Sequence, residues 1–119
     1  MYFRFEKLII WKESVRVSDY LFDLCKRIRA RKDFSLADQL YRATLSISNN
    51  IAEGSGSASA KDFANFLNIS RRSIFECANL LYIALKYNYL PKDEFIKLRK
   101  ELLLLSKMIY YFRQSLLSK

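Results

Sequence analysis

Pro91-Lys-Asp-Glu-Phe95-Ile-Lys-Leu98-Arg-Lys-Glu-Leu102-Leu-Leu-Leu105-Ser-Lys-Met-Ile109-Tyr-Tyr-Phe112-Arg-Gln-Ser-Leu116 carries apolar residues at alternating spacings of three and four, from Phe95 to Leu116 without a miss. That is the seam of a helix packed in a bundle. Pro91, the only proline, suits the first helical position, where its missing N–H would be unpaired anyway. Asp93 and Glu94 then occupy the positive end of the helix dipole.

Working outward, only two other stretches interrupt helical periodicity. Both glycines lie in Gly54-Ser-Gly-Ser-Ala-Ser-Ala60, and the basic run ending at Arg31-Lys-Asp-Phe-Ser35 gives way to a new capping signal. Three breaks leave four segments, and no hairpin dipeptide or sustained period-two alternation suggests a strand. The first segment, Lys7 to Arg29, places Trp11, Val15, Leu21, Phe22, Cys25 and Ile28 on one face. The second starts with Ser35 as N-cap and Asp38 in its first turn, and its face runs Leu36, Leu40, Ala43, Ile47, Ile51. The third has Ser59 as cap and Asp62 in the first turn, then Phe63, Phe66, Leu67, Ile74, Cys77, Leu81 and Leu85. Short connections make consecutive helices antiparallel neighbours. The expected fold is all-α: one domain, residues 1–119, an up-down-up-down antiparallel four-helix bundle.

The chain has 119 residues, with 21 Lys or Arg against 12 Asp or Glu, a net charge of +9. There is no histidine, which excludes Ser-His-Asp and Cys-His relays, His-containing zinc sites and Glu-x-x-His di-iron helices. Composition therefore favours a binding protein over an enzyme, with no cofactor and no metal. Cys25 and Cys77 are far from any Cys-x-x-Cys spacing and fall in apolar helical patterns, where a free thiol is a small buried hydrophobe; a disulfide would need an oxidising compartment. The apolar run Leu8 to Trp11 is too short for a signal peptide, and nothing approaches the ~20 apolar residues that span a bilayer, so a cytoplasmic protein without membrane attachment is expected.

Apolar residues exceed what one bundle uses. Leu103, Leu104, Tyr110 and Tyr111 lie off the Phe95–Leu116 stripe, and Ile9, Ile10, Val17 and Leu24 lie off the main face of the first helix. The competing account is a wide stripe buried within one bundle. Self-association through Leu103, Leu104, Tyr110 and Tyr111 is the expectation, since contiguous apolar patches mark interfaces. The amphipathic Met1–Phe5 stretch is a weaker candidate to strap across a neighbour.

Phe34-Ser-Leu-Ala-Asp-Gln39-Leu-Tyr-Arg42-Ala-Thr-Leu-Ser46-Ile-Ser-Asn-Asn50-Ile-Ala-Glu53-Gly54 resembles the signature of the four-helix-bundle family of 23S rRNA intervening-sequence proteins, in which Leu-x-x-Gln-Leu-x-Arg-Ala leads into Ser-Ile-x-x-Asn-Ile-Ala-Glu-Gly. Trp11-Lys12, Phe63-x-x-Phe66-Leu67, Ser73, Glu76 and Tyr87-x-Tyr89-Leu90 are supporting matches, so the resemblance covers Leu8 to Met108. The chain departs from the pattern in three places. Ser48 stands where the family has Pro, which softens an expected kink. Arg72-Ser73 replaces Gly-Ser, and Glu76-Cys77 replaces Glu-Leu. The resemblance implies an all-helical ring-like homopentamer, and a related branch is the basic, pentameric accessory protein of diversity-generating retroelements, which works with a reverse transcriptase and nucleic acid. It implies a fold and an assembly rather than a reaction.

The polar signature residues Gln39, Arg42, Asn50, Glu53, Ser73 and Glu76 are expected to form a structural network: Arg42 pairing with Glu53 or Glu76, and Asn50 contacting backbone, since a charge near a core must be paired. The catalytic alternative, Glu53 and Glu76 as a carboxylate pair, has no supporting motif. Gly54-Ser-Gly-Ser-Ala-Ser59 follows a helix rather than a strand, so it reads as a capped connection rather than a dinucleotide cradle; an anion at the next helix N-terminus, beside Lys61, is the alternative.

Basic residues suggest the partner. Lys26, Arg27, Arg29, Arg31 and Lys32 give five charges in seven residues, more than complementing a helix dipole requires, and Arg42, Lys61, Arg71 and Arg72 form a second group. Five copies at +9 each would carry +45 and attract phosphate across the whole assembly. The expected function is RNA or DNA binding through phosphates, at Lys26, Arg27, Arg29, Arg31, Lys32, Lys61, Arg71 and Arg72. The alternatives are basicity for solubility alone, and a scaffold whose basic face meets an acidic protein partner.

Overall fold

Asp33, Ser59 and Pro91 precede the second, third and fourth helices in the computed structural model of the chain, which describes residues 1–118. A 3-10 turn over Arg4–Lys7 leads into α1 (Ile9–Ala30), followed by α2 (Phe34–Ser55), α3 (Ala60–Lys86) and α4 (Lys92–Leu117). Each helix packs on its chain neighbours, and α1 meets α4 to close an up-down-up-down four-helix bundle measuring 46 × 24 × 21 Å. No strand occurs among the described residues. Packing is most extensive between α2 and α3 and least between α1 and α4.

Local chemistry moves three of the expected boundaries. The cap of α2 is Asp33, not Ser35: its carboxylate accepts the Leu36 N–H at 3.2 Å, because the preceding turn already returns the chain to helix at Phe34. Pro91 is the N-cap of α4, one position earlier than expected. Gly54 does not interrupt α2, which runs on to Ser55, and neither glycine has positive φ. Ser59 caps α3 as expected, accepting the Asp62 N–H at 3.1 Å.

The two turns at one end of the bundle are built alike. At the end of α1, Lys32 takes φ 67° while the Asp33 N–H reaches back to Ile28 O. At the end of α3, Asn88 takes φ 61° and the Tyr89 N–H reaches Ala84 O at 2.9 Å. Both are left-handed terminations that satisfy the last carbonyls of a helix, a geometry that Gly or Asn adopts readily and Lys does not.

The α4 seam is buried from Phe95 to Leu116, with Phe112 half-buried. α1 buries Leu21, Cys25 and Ile28 as expected, but its buried stripe also takes in Ile10, Val17 and Leu24 while Val15 is exposed. The buried face also carries Ser14 and Ser18. Their hydroxyls are satisfied by backbone carbonyls of their own helix, Ser14 Oγ to Trp11 O at 2.7 Å and Ser18 Oγ to Ser14 O at 2.6 Å, so small polar residues sit at the contact without an unpaired group. Between α2 and α3 the Ser70 hydroxyl donates to Ile47 O at 2.7 Å, and Thr44 Oγ1 lies 3.7 Å from Cys77 Sγ.

Candidate nucleic-acid interface

The expected basic residues divide by what they already hold. Arg27 on α1 donates to Glu94 on α4, one of the two bonds at 2.9 Å, with its Nε 3.2 Å from Asp23 but out of line for a hydrogen bond. The Glu94 contact, outweighing a partial loss of hydration, holds the Arg27 guanidinium above its ordinary pKa. Arg29 pairs with Asp38 and lies over the Phe34 ring. Arg71 donates to Ser106 O at 3.1 Å and sits between the Phe75 and Tyr110 rings, bridging α3 to α4. Arg31 donates to Asn88 O at 2.8 Å and stacks over Tyr89, with its centre 4.6 Å from the ring centroid. Lys26, Lys32, Lys61 and Arg72 are exposed and hold no acid partner among the described residues.

Nor do these residues form one face. Lys61 opens α3 while Arg71 and Arg72 lie about 15 Å further along the helix at 1.5 Å per residue. Lys26, Arg29, Arg31 and Lys32 gather at the opposite end. There the topology adds Lys86 and Lys92 from the α3–α4 turn, which were not among the expected residues. The up-down-up-down order alone could have supplied them, because it puts the first and third turns at the same end. Two exposed rings, Phe34 and Tyr87, flank these cations and were likewise missed. Arg72, in place of the family's Gly, is on the surface and obstructs no helix contact.

Within the polar signature Asn50 contacts backbone as expected, but the charged members do not pair with one another. Arg42 makes no ion pair among the described residues, and Arg42, Glu53, Glu76 and Gln39 are all exposed. Water solvates them, so nothing compels pairing. Gln39, Arg42 and Glu76, with Ser35, Asp38 and Ser46, line an open polar groove of about 600 Å³ between α2 and α3. Hydrogen bonding centres on a residue that was not singled out, Ser46. Asn50 donates to Ser46 O at 2.7 Å and to its hydroxyl at 2.9 Å, and the Ser73 hydroxyl donates to Ser46 Oγ at 2.7 Å. This chain ties α2 to α3 and includes no charge.

Cys25 and Cys77 are free and buried. Loss of hydration pushes the Cys25 thiol up to about 11 and the Cys77 thiol up to about 12. Neither is poised as a thiolate. No group of three His, Cys, Asp or Glu among the described residues could hold a metal. No helix among them is long and apolar enough to cross a membrane.

The spare apolar residues of α4 occupy two flanks rather than one patch. Leu103 lines a groove toward α3 with Phe75 and Tyr82, on the side where Tyr110 meets Arg71. Leu104 and Tyr111 line a groove toward α1, beside the Arg16–Glu101 ion pair at 2.6 Å. Ile9 is exposed as expected. The N-terminal stretch folds back on its own bundle, Phe5 against Trp11 at 4.9 Å and Arg4 over Phe63, leaving Tyr2 and Phe3 exposed.

No curated protein matches the chain. Among solved structures it is similar to a protein with unknown function from the S23 ribosomal protein family of Bacteroides thetaiotaomicron VPI-5482, with TM-score 0.83 and 22% identity over 88% of this chain and 98% of that one. That likeness establishes the bundle. The family model described as 23S rRNA-intervening sequence protein matches residues 6–111, and the chain belongs to that family.

Proposed function

We propose that this chain is a non-catalytic, self-assembling helical bundle of the cytoplasm that binds RNA or DNA through phosphate contacts. The observation that carries the reading is that the exposed cations Lys26, Lys32, Lys61 and Arg72 have no acid partner among the described residues, in a chain of net charge +9. Charge already spent on Glu94, Asp38 and Glu101 holds helices together; exposed cations outside these pairs, such as Lys26 and Lys32, face solvent and attract polyanions. Two buried thiols without a disulfide are in keeping with a reducing compartment. Their raised pKa values make the two thiols poor nucleophiles, and the sequence lacks histidine, the commonest acid–base group. The two apolar flanks of α4 support assembly from unlike faces, as a closed ring needs, and a ring of five is what the resemblance implies.

Fluorescence anisotropy with labelled RNA and DNA tests the reading at about 50 and 200 mM salt. Binding that weakens by orders of magnitude across this window supports it. No binding at the lower salt overturns it and favours the second reading, a scaffold whose α4 flanks and basic surface meet a protein partner.

A further inference from the structure

We propose that the end of the bundle formed by the α1–α2 and α3–α4 turns is a site for unpaired nucleic-acid strands, with bases stacking on Phe34 and Tyr87 and phosphates met by Arg31, Lys32, Lys86 and Lys92. This rests on the nucleic-acid reading above and narrows it to one surface and one class of ligand.

The two turns act as one surface because they are bonded together. Arg31 Nη1 donates to Asn88 O at 2.8 Å, and the Tyr89 hydroxyl donates to Asp33 Oδ2 at 2.7 Å. The same Arg31 stacks on Tyr89, which fixes its guanidinium at the surface before any ligand arrives. Beside this clamp, Phe34 is 53% exposed and Tyr87 58% exposed, and neither packs against another ring of the described chain. Arg29 lies over Phe34, extending the platform with a second planar cation.

Charge at this end is sorted by position. Asp38 and Glu94 are held by Arg29 and Arg27 along the helix sides. Around the tip stand Arg31, Lys32, Lys86 and Lys92 against Asp33 and Asp93, and Asp33 is occupied by the Leu36 N–H and the Tyr89 hydroxyl. Lys32 is the telling residue. It holds φ 67° at the position where Asn88 serves in the matching turn, a conformation that disfavours Lys and that Gly would adopt without strain. Local stability would be better served by Gly; Lys instead places a cation at the exposed tip of the turn.

A duplex hides its base faces in the stack and would leave both rings without partners. Exposed rings between cations are what a single strand uses, since every unstacked base has a face to offer.

The test is anisotropy at about 50 mM salt with a single-stranded RNA, a single-stranded DNA of the same length, and a duplex. The unaltered chain is compared with a Phe34→Leu/Tyr87→Leu double variant, with Lys32→Gly, and with Lys12→Ala on the exposed start of α1 as a control. Single strands are expected to bind tighter than the duplex, and the double variant to lose that advantage, roughly tenfold or more for each ring. Lys32→Gly is expected to melt at a higher temperature yet bind single strands more weakly, which no purely structural role for Lys32 would give. Photocrosslinking of a bromouracil-containing strand, mapped to Phe34 or Tyr87, supports the site even where the double variant misfolds. Equal affinity for strand and duplex, unchanged in the double variant, overturns this inference and leaves the broader reading standing. So does displacement by polyglutamate as effective as by strand. No binding of any probe overturns both.

Discussion

Gly54 lies so close against Phe66 that a β-carbon at its position would stand 2.6 Å from Phe66 Cβ, and 2.9 Å from Phe63 Cδ1. The glycine is there to let α2 and α3 approach, not to make a turn. Gly54→Ala is expected to destabilise the fold by about 1–3 kcal/mol despite the better helix propensity of Ala. Gly56→Ala, whose β-carbon would meet only Glu53 O at 3.4 Å, is expected to cost little. Urea denaturation of the two variants side by side measures the contrast.

Neighbouring cations on α1 are expected to separate stability from binding. Arg27→Met strips Glu94 and Asp23 of their partner and should cost up to about 1 kcal/mol, less in high salt because the pair is partly solvated. Lys26→Met should leave stability within about 0.5 kcal/mol of the parent and weaken nucleic-acid affinity more than Arg27→Met does. Urea melts and anisotropy titrations of both variants give the two axes.

Stability should be nearly independent of pH between about 5.5 and 8, since the chain has no histidine to titrate there. Above that range it should fall. The folded thiols are raised to about 11 and 12 from an ordinary 9.0, so the unfolded chain releases their protons first, and stability present below about 9 is lost as pH rises toward the folded values. Above about 10, Tyr89 adds to the same trend, because its bond to Asp33 raises the phenol. Urea midpoints from pH 6 to 10 test this, and a Cys25→Ala/Cys77→Ala variant should flatten the slope between pH 8.5 and 10. Ellman's reagent should react slowly with the native thiols and rapidly after unfolding.

The two flanks of α4 predict a particular assembly behaviour. If unlike faces meet, Leu103→Asp and Leu104→Asp should each give folded monomers by light scattering, and mixing the two should give a dimer through the one intact pair of faces. Like-with-like contacts would instead leave each single variant dimeric.

Much of the fold was legible because helix periodicity and caps are local. Phe95 to Leu116, Ser59 with Asp62, and the Leu40–Ala43–Ile47–Ile51 face are buried or bonded as their spacing implies. On α1, Leu21, Cys25 and Ile28 are buried as expected, but the stripe was drawn too narrow because Ser14 and Ser18 are polar in sequence, while carbonyls of their own helix satisfy them in the core. The Arg42 pairing failed because periodicity placed that residue beside a stripe without telling how much solvent reaches it.

The sequence by itself determined the number of helices, their approximate ends, the charge surplus and the excess of apolar surface on α4, all properties of residues near one another in the chain. Only the tertiary structure decided which arginines were already engaged, that Leu103 and Leu104 face different grooves, and that Arg31 and Tyr89 bond the two turns at one end into a single surface. Those facts depend on distances between residues tens of positions apart, which packing sets and local pattern does not carry.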